Sequence, residues 1–189
     1  MNPQYATTKE ECIVNMMQTF QFENISILEH GYLVHKKYLE ILKILKGEAE
    51  NIYNLPDSLF QWFTKNYSNL LDIETMKKYH ILHDCGKPYC LTYDNEGRKH
   101  FTNHAIHSYN QYCIFSNNNI VSNLILNDMA FHTCKGDTKK SVWHIEHSCS
   151  LYLTAWAEIL ANCIMFGGLE STSFKIKRKH LIKLLGSIL

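Results

Sequence analysis

The chain has 189 residues, of which 46% are hydrophobic and 20% are charged, and its formal net charge at pH 7 is +1. This composition is typical of a globular protein with a hydrophobic core, and the near-neutral charge argues against a chain drawn to nucleic acid or to an anionic membrane by its overall field. No apolar run approaches the roughly 20 residues that a membrane span needs.

Cysteine and histidine usage gives the next constraint. The seven cysteines are scattered singly with no CxxC pair, which argues against both a disulfide framework and a zinc knuckle. The first residues lack the apolar core of a signal peptide. We therefore expect a reducing, cytoplasmic location. The eleven histidines are many for this length, and most of them fall between His80 and His147.

The pattern of apolar residues predicts helices with short connections, since only three prolines and eight glycines interrupt the chain. The predicted helices cover 30–45, a segment from a cap at Asp57 or Ser58, 73–84, a segment capped by Thr102 or Asn103 that ends at Phe115, 121–132, 151–165 and 174–185. One short strand-like stretch, 90–93, precedes a turn at 94–97. The sequence thus predicts a single all-α domain over residues 1–189.

The third predicted helix ends in an unusual pair, His83 followed by Asp84. Gly86 and Pro88 end the helix there. Because a helix C-terminus carries partial negative charge, a carboxylate at this place calls for a nearby cation. Lys87 is one candidate, and a bound metal is a stronger one, since neutral imidazole and carboxylate together suit transition metals or magnesium.

Other polar residues lie on helix faces that are predicted to be buried. His30 precedes Val34 by one turn, and Asp128 continues an apolar stripe. Glu158 is the one charge within the apolar stretch 151–163. A buried carboxylate is costly unless it has a partner.

Arginine, the usual partner of a buried carboxylate, is scarce in this chain. Only Arg98 and Arg178 are present, and lysine is a poorer partner because its compact charge is strongly hydrated. Inward histidines and carboxylates on several separate helices are therefore better explained by one metal centre than by several unrelated ion pairs.

The order of these segments resembles the HD-domain metal-dependent phosphohydrolase superfamily. The resemblance spans about residues 30–161, and the basic helix at 174–185 follows it. Five segments carry it: 30–34, 81–88 with the sequence ILHDCGKP, 101–108, 124–129 and 151–161. Two positions depart from the pattern of the family: Glu158 stands where an aspartate is usual, and Asp128 stands where a histidine is common.

The resemblance implies an HD-type helical bundle and a set of site residues. The metal ligands would be His30, His83, Asp84 and Glu158, with His104 and Asp128 as ligands of a second ion or as substrate contacts. The catalytic residues would be Asp84, Lys87, His104 and His107. One or two divalent ions are implied, drawn from Mn, Fe, Co, Ni, Mg or Zn.

The implied function is hydrolysis of a phosphate ester by metal-activated water. The expected partner is a small phosphorylated substrate, a nucleotide or cyclic nucleotide, with a nucleic-acid end as another possibility and no membrane. The alternative is an inactive module of the same fold that binds a nucleotide or a protein. Residues 1–25 lie outside the resemblance, and the oligomeric state stays open.

Overall fold

The computed structural model describes residues 4–188, and it confirms the prediction of an all-α fold. The elements in chain order are α1 Lys9–Gln18, β1 Phe20–Phe22, β2 Ile25–Ser26, α2 Ile27–Leu45, α3 Asp57–Asn66, α4 Ile73–Leu82, β3 Leu91–Tyr93, β4 Lys99–Phe101, α5 His104–Phe115, α6 Asn119–Leu126, α7 Ala130–Thr133, α8 Thr138–Ser141, α9 Ser148–Ala161 and α10 Thr172–Leu185. Among the described helices, none combines the length and apolar character that crossing a bilayer requires.

The chain divides into two compact units. The first comprises the residues up to Leu33 together with Ile73–Asp128, and the second comprises Val34–Asp72 together with the residues from Met129 onward. The prediction of a single domain over residues 1–189 stays a prediction.

The first unit is built around α4, α5 and α6, which pack against one another. Buried apolar residues line their contacts: Met76, Tyr79, Leu82, Tyr112, Val121, Leu124 and Ile125. Two small antiparallel hairpins, β1–β2 and β3–β4, connect the helices. The second hairpin has the register Leu91↔Phe101, Thr92↔His100 and Tyr93↔Lys99.

The second unit is built around α9, whose residues from Ser150 to Ala161 are all buried. Four aromatic rings pack edge to face or tilted in its core, with centroids about 5–6 Å apart: Trp62, Phe131, Trp143 and Tyr152. The Tyr152 hydroxyl donates to the carbonyl of Leu181 in α10 at 3.0 Å, which satisfies a polar group that would otherwise be orphaned inside.

Most predicted helices are present, and the differences are local. The helix predicted over 121–132 is instead α6 and α7, because Asn127 and Asp128 adopt turn geometry between them. Asp128 and His132, four residues apart, therefore do not lie on one continuous helix. The capping residue of α3 is Pro56 rather than Asp57 or Ser58. The β1–β2 hairpin had no counterpart in the prediction.

Candidate metal centre

His30 lies in the first turn of α2, and the sequence around it fixes the start of that helix. Ser26 and Glu29 form a reciprocal capping box: the Ser26 backbone N–H donates to Glu29 Oε2 at 2.8 Å, and the Glu29 N–H donates to Ser26 Oγ at 3.2 Å. The Ser26 hydroxyl, which donates to Glu29 Oε2 at 2.7 Å, and the Ser26 N–H lower the pKa of the Glu29 carboxyl. The cap thus defines where α2 begins and on which face His30 emerges.

Gly31 sets how closely α2 approaches α4. A Cβ atom at this position would lie 2.7 Å from the carbonyl oxygen of Ile81 and 2.8 Å from that of His80. Only glycine allows the two backbones to come this near. Because His80 and Ile81 immediately precede the His83–Asp84 pair, this contact brings His30 beside it.

His83 and Asp84 lie in the turn that follows α4, and both are buried. His83 Nδ1 lies 2.7 Å from the carbonyl oxygen of His80, so Nδ1 carries a proton and donates it there. In the neutral ring this leaves Nε2 as the lone-pair atom, the arrangement that metal-binding histidines commonly show. His83 Nε2 lies 3.1 Å from Asp84 Oδ2.

His30, His83 and Asp84 form a buried cluster. One donor atom from each lies within 4.8 Å of the other two, and His30 Nε2 lies 3.8 Å from Asp84 Oδ2. The imidazole rings of His30 and His83 are tilted against each other, with centroids 5.5 Å apart. Within the described chain, no other group of His, Cys, Asp or Glu side chains meets this metal-site geometry.

His104 approaches the other oxygen of the same carboxylate. Its Nδ1 lies 3.1 Å from the carbonyl of Phe101, and its Nε2 lies 3.6 Å from Asp84 Oδ1. Asn103, in the left-handed region at φ 57°, directs the chain into α5 at this place, although its side chain makes no capping hydrogen bond. Asp84 Oδ1 is buried and accepts no hydrogen bond from the described residues.

The turn after Asp84 is fastened to α5 by Ser108. Its hydroxyl accepts the Gly86 N–H at 2.9 Å, and its carbonyl accepts from the Cys85 thiol at 3.4 Å. A Cβ on Gly86 would lie 2.0 Å from the Ser108 nitrogen, so this close approach also requires glycine. Gly86, predicted as a helix-ending residue, therefore also positions α5 and His104.

Lys87 is the cation next to the cluster. Its Nζ lies 2.5 Å from Asp84 Oδ2 and 2.7 Å from Gln21 Oε1, and it lies over the Phe101 ring. Burial opposes ionisation of Asp84, but the facing charges of His83, Lys87 and His104 together hold the pKa of that carboxyl well below its usual value. Asp84 is therefore an ionised carboxylate in a largely water-free site.

The spacing of these donors fits a shared metal ion. Two donors that each lie about 2.1 Å from one ion can be at most about 4.2 Å apart. The separations from Asp84 Oδ2 to the Nε2 atoms of His83 and His30 are 3.1 and 3.8 Å, within this limit, whereas His104 faces the other oxygen and lies outside the group of three. Two further features favour a metal ion at this place: Asp84 Oδ1 is buried without a hydrogen bond from the described residues, and imidazole and carboxylate are ligands that divalent transition metals prefer.

Two of the predicted site residues make other contacts within the first unit. Asp128 is buried as predicted, and its Oδ1 accepts from the Tyr79 hydroxyl at 2.6 Å. The Tyr79 ring in turn contacts the His83 ring edge-on at 6.2 Å. His107 Nδ1 pairs with the Tyr5 hydroxyl at 2.8 Å. Their roles as second-metal ligand and catalytic residue stay predictions.

Glu158 lies in the second unit, on the buried helix α9. It is 7% exposed, which agrees with the prediction that it points inward. One carboxylate oxygen, Oε2, accepts from Asn162 Nδ2 one turn later at 3.0 Å. Its assignment as a metal ligand stays a prediction.

The sequence argument did not single out several residues that shape the first-unit cluster. Gln21 comes from a hairpin that was not predicted, and the sequence pattern indicated no role for Tyr79. Gly31 was read only as part of a motif, although a glycine inside the first turn of a predicted amphipathic helix is a sign of close packing that was available in the sequence.

Comparison with known proteins adds nothing to this geometry, because no family model, no curated protein and no solved structure matches the chain. The site must therefore be interpreted from its own residues.

Proposed function

We propose that this protein is a metal-dependent phosphohydrolase. The observation that supports it most is the buried Asp84 carboxylate, which faces the Nε2 atoms of three histidines and has a lysine ammonium on the same oxygen as two of them. Phosphoryl transfer requires little covalent chemistry from a protein, but it requires positive charge and a positioned nucleophile. A metal centre with an adjacent lysine provides both.

In this proposal His30, His83 and Asp84 hold a divalent ion, and His104, Asp128 and Glu158 are further candidate ligands. The identity of the ion, among Mn, Fe, Co, Ni, Mg and Zn, and the number of ions, one or two, are part of what the experiment measures. When bound, such an ion lowers the pKa of a water molecule and neutralises charge on a phosphoryl oxygen.

The chain's own groups prepare the site for this chemistry. The hydrogen bond from His83 Nδ1 to the carbonyl of His80 orients the imidazole so that Nε2 lies 3.1 Å from Asp84 Oδ2, and a deprotonated Nε2 would supply its lone pair to the ion. Asp84, held ionised by its neighbours, accepts a hydrogen bond from an attacking water and orients it, and Oδ1 is the oxygen with a free acceptor position.

Lys87 supplies a positive charge in this mechanism. A metal ion held by Asp84 Oδ2 would take the oxygen that the ammonium now uses, and Gln21 Oε1, at 2.7 Å, would remain as an acceptor for Lys87. From there the ammonium could meet a phosphate oxygen as a point charge. His104, and more remotely His107, can donate a proton toward the leaving oxygen.

The expected substrate is a small phosphate ester: a nucleotide, a cyclic nucleotide or the end of a nucleic acid. The test is to purify the protein, measure its metal content, and assay hydrolysis of an aryl phosphate, an aryl phosphodiester, cyclic nucleotides and dNTPs with manganese, magnesium, cobalt and nickel. We expect turnover with at least one ion, and loss of more than about 100-fold in His83→Ala and Asp84→Ala together with loss of bound metal.

His100→Ala is the matched control, because His100 also lies 2.9 Å from a carboxylate, Asp94, but on an exposed hairpin. It should keep full activity and metal content. His83→Gln, checked by circular dichroism, separates loss of a ligand from loss of the fold. Full activity in the His83 variants contradicts the site assignment, and bound metal without turnover of any substrate contradicts the enzyme.

A second candidate function is favoured by one specific contact. Lys87 Nζ already neutralises Asp84 at 2.5 Å, as a metal ion would. A fold of this kind with an internal lysine counter-ion could bind a nucleotide or a protein without catalysis. Lys87→Met distinguishes the two: in an enzyme it retains metal and loses turnover, whereas in an inactive module turnover is absent in the parent as well.

A further inference from the structure

A pocket of about 250 Å³ lies within the first unit and shares no residue with the candidate metal centre. It is formed where α1, α4, the end of α5 and the turn before α6 meet. Its lining residues are Lys9, Lys78, Leu82, Tyr112, Phe115, Ser116 and Asn118. No function considered above uses this pocket.

The charge of the pocket is entirely positive. Among the described residues of its lining, Lys9 and Lys78 are the only ionised side chains, and neither forms an ion pair with a described carboxylate. The nearest acids in sequence, Glu10 beside Lys9 and Glu74 one turn before Lys78, do not line it. Because the chain as a whole carries only +1, this local excess is not a consequence of overall composition.

The neutral polar groups of the pocket add hydrogen-bond donors. Asn118 uses its Oδ1 to accept the Val121 N–H at 3.1 Å, which leaves its amide N–H groups as the end that can meet a ligand. The Ser116 hydroxyl accepts from the Asn118 N–H at 3.3 Å and also hydrogen-bonds to the Tyr112 side chain, which fixes it at the rim of the pocket. Donors with positive charge and no facing carboxylate are the complement of an anion.

The remaining wall is apolar. Leu82 and Tyr112 are almost completely buried, and Phe115 packs against the Tyr112 ring at 5.5 Å in an edge-on arrangement. Such a wall gives an aromatic or short aliphatic group contact area that a bare inorganic ion cannot use. The volume is about eight times that of one water molecule, enough for a single ring with its charged group.

We propose that this pocket binds a small organic anion, in which a phosphate, phosphonate or carboxylate meets Lys9 and Lys78 and an aromatic or short aliphatic body lies on Leu82, Tyr112 and Phe115. The proposal does not rest on the proposed function, because it uses neither the metal nor the residues of the candidate metal centre. It stands or fails separately.

The test is an NMR titration of chelator-treated protein with phenylphosphonate, benzoate, inorganic phosphate and the neutral benzyl alcohol. Phenylphosphonate cannot be hydrolysed, and removal of metal suppresses its binding at the other site. We expect saturable amide shifts at Leu82, Tyr112 and Ser116 with phenylphosphonate or benzoate, and weaker binding of the other two. The tighter of the two organic anions identifies the charged group that the pocket prefers.

Variants assign the binding to the pocket. Lys9→Gln combined with Lys78→Gln should raise the dissociation constant of the preferred anion about five- to tenfold, since each exposed pairing contributes modestly. Lys77→Gln is the matched control: it removes the same charge from the same helix at a residue that does not line the pocket. It should change the constant less than twofold.

Several results would overturn the proposal. An equal effect of Lys77→Gln would mean that overall charge is being measured. If benzyl alcohol bound as tightly as the organic anions, the negative charge would contribute nothing to binding. If inorganic phosphate bound as tightly, the apolar wall would contribute nothing. Shifts confined to His83 and His104 would place the ligand at the candidate metal centre instead. The absence of a saturable shift at ligand concentrations up to about 20 mM would mean that the pocket does not bind these anions.

Discussion

Two aspartates of the first unit have nearly the same neighbours and opposite surroundings. Asp84 Oδ2 meets Lys87 at 2.5 Å and His83 at 3.1 Å in the interior, whereas Asp94 Oδ2 meets Arg98 at 2.7 Å and His100 at 2.9 Å on the β3–β4 hairpin. The Asp94 side chain is 24% exposed with partners that are 51–66% exposed, whereas the Asp84 side chain is only 2% exposed. The same three types of group thus occur once at the surface and once in the interior.

The use of each carboxylate differs as well. Asp94 Oδ1 accepts the backbone N–H groups of Glu96 and Arg98, both at 2.9 Å, so the side chain closes the turn between the strands. Asp84 Oδ1 accepts no hydrogen bond from the described residues and faces His104. A carboxylate with a histidine and a cation beside it is therefore not enough to indicate a functional site. Asp84 differs from Asp94 in its burial and in having an oxygen that accepts no hydrogen bond from the described residues.

The largest expected effect is the difference between Asp84→Asn and Asp94→Asn. Asn at 84 leaves the Lys87 ammonium in the interior without its counter-ion, which should lower the free energy of unfolding by about 3 kcal/mol in metal-free protein. Asp94→Asn changes a group at the surface, keeps Oδ1 as the acceptor in the turn, and should leave the urea midpoint nearly unchanged. Urea unfolding with chelator present measures both, and equal midpoints would mean that burial does not distinguish the two aspartates.

The next effect tests how the cluster is assembled. Gly31→Ala places a Cβ 2.7 Å from a backbone oxygen of α4, which must move α2 away from His83. We expect a loss of about 2 kcal/mol in stability, larger than the gain in helix propensity, and weaker metal binding.

Gly186→Ala is the control for this substitution. Gly186 has φ −64°, and an added Cβ would have its nearest neighbour at 3.6 Å, so the change should be neutral. Urea unfolding and metal titration of both variants distinguish the effect of the steric clash at Gly31 from the general effect of replacing a glycine with alanine. A Gly31→Ala protein with parental stability and affinity would contradict the proposed role of this contact.

A smaller effect is expected at Tyr79, whose ring contacts His83 and whose hydroxyl donates to Asp128. Tyr79→Phe removes the hydroxyl that donates to Asp128 at 2.6 Å and leaves the ring beside His83 in place. Loss of a hydrogen bond to a buried carboxylate should cost about 1.5 kcal/mol. Tyr32→Phe, at a residue 53% exposed, is the control and should have no measurable effect. Equal denaturation midpoints for the two variants would show that Asp128 does not depend on Tyr79.

These contrasts show which parts of the molecule the sequence can predict. Local periodicity was sufficient for most of the helices, because amphipathic stripes such as Val34, Tyr38 and Ile41 are determined by neighbouring residues, but it did not predict α1. The apolar stretch around Glu158 was sufficient to predict that this carboxylate is buried. Periodicity did not predict the break between α6 and α7, since Asn127 and Asp128 are compatible with both a helix and a turn.

What the sequence could not provide was the distances between segments. That His30 and His104 approach the same carboxylate depends on Gly31 and Gly86 as packing contacts, which have no periodic pattern. The Lys87–Gln21 contact depends on a three-residue strand, too short for an alternating pattern to be recognised. The family resemblance proposed a grouping of His30, His83 and Asp84, but only the coordinates show that the three lie together.

The smallest expected effect concerns the pH dependence of Asp94, the aspartate at the surface. The hydrogen bond to His100, followed by those to Arg98, lowers the pKa of the Asp94 carboxyl in the folded protein. A carboxyl whose pKa is lower in the folded state stabilises the fold fully above its unfolded pKa of about 3.9, and this contribution is lost as the pH falls through the lower folded value.

His100→Ala should therefore move the Asp94 titration measured by NMR to higher pH, toward the unfolded value. The hairpin amides of the variant should lose protection from hydrogen exchange only slightly, because solvent screens these charges. An unchanged Asp94 titration in His100→Ala would show that His100 does not influence the pKa of Asp94. The two aspartates would then share neighbouring residue types but not the electrostatic effect of a histidine.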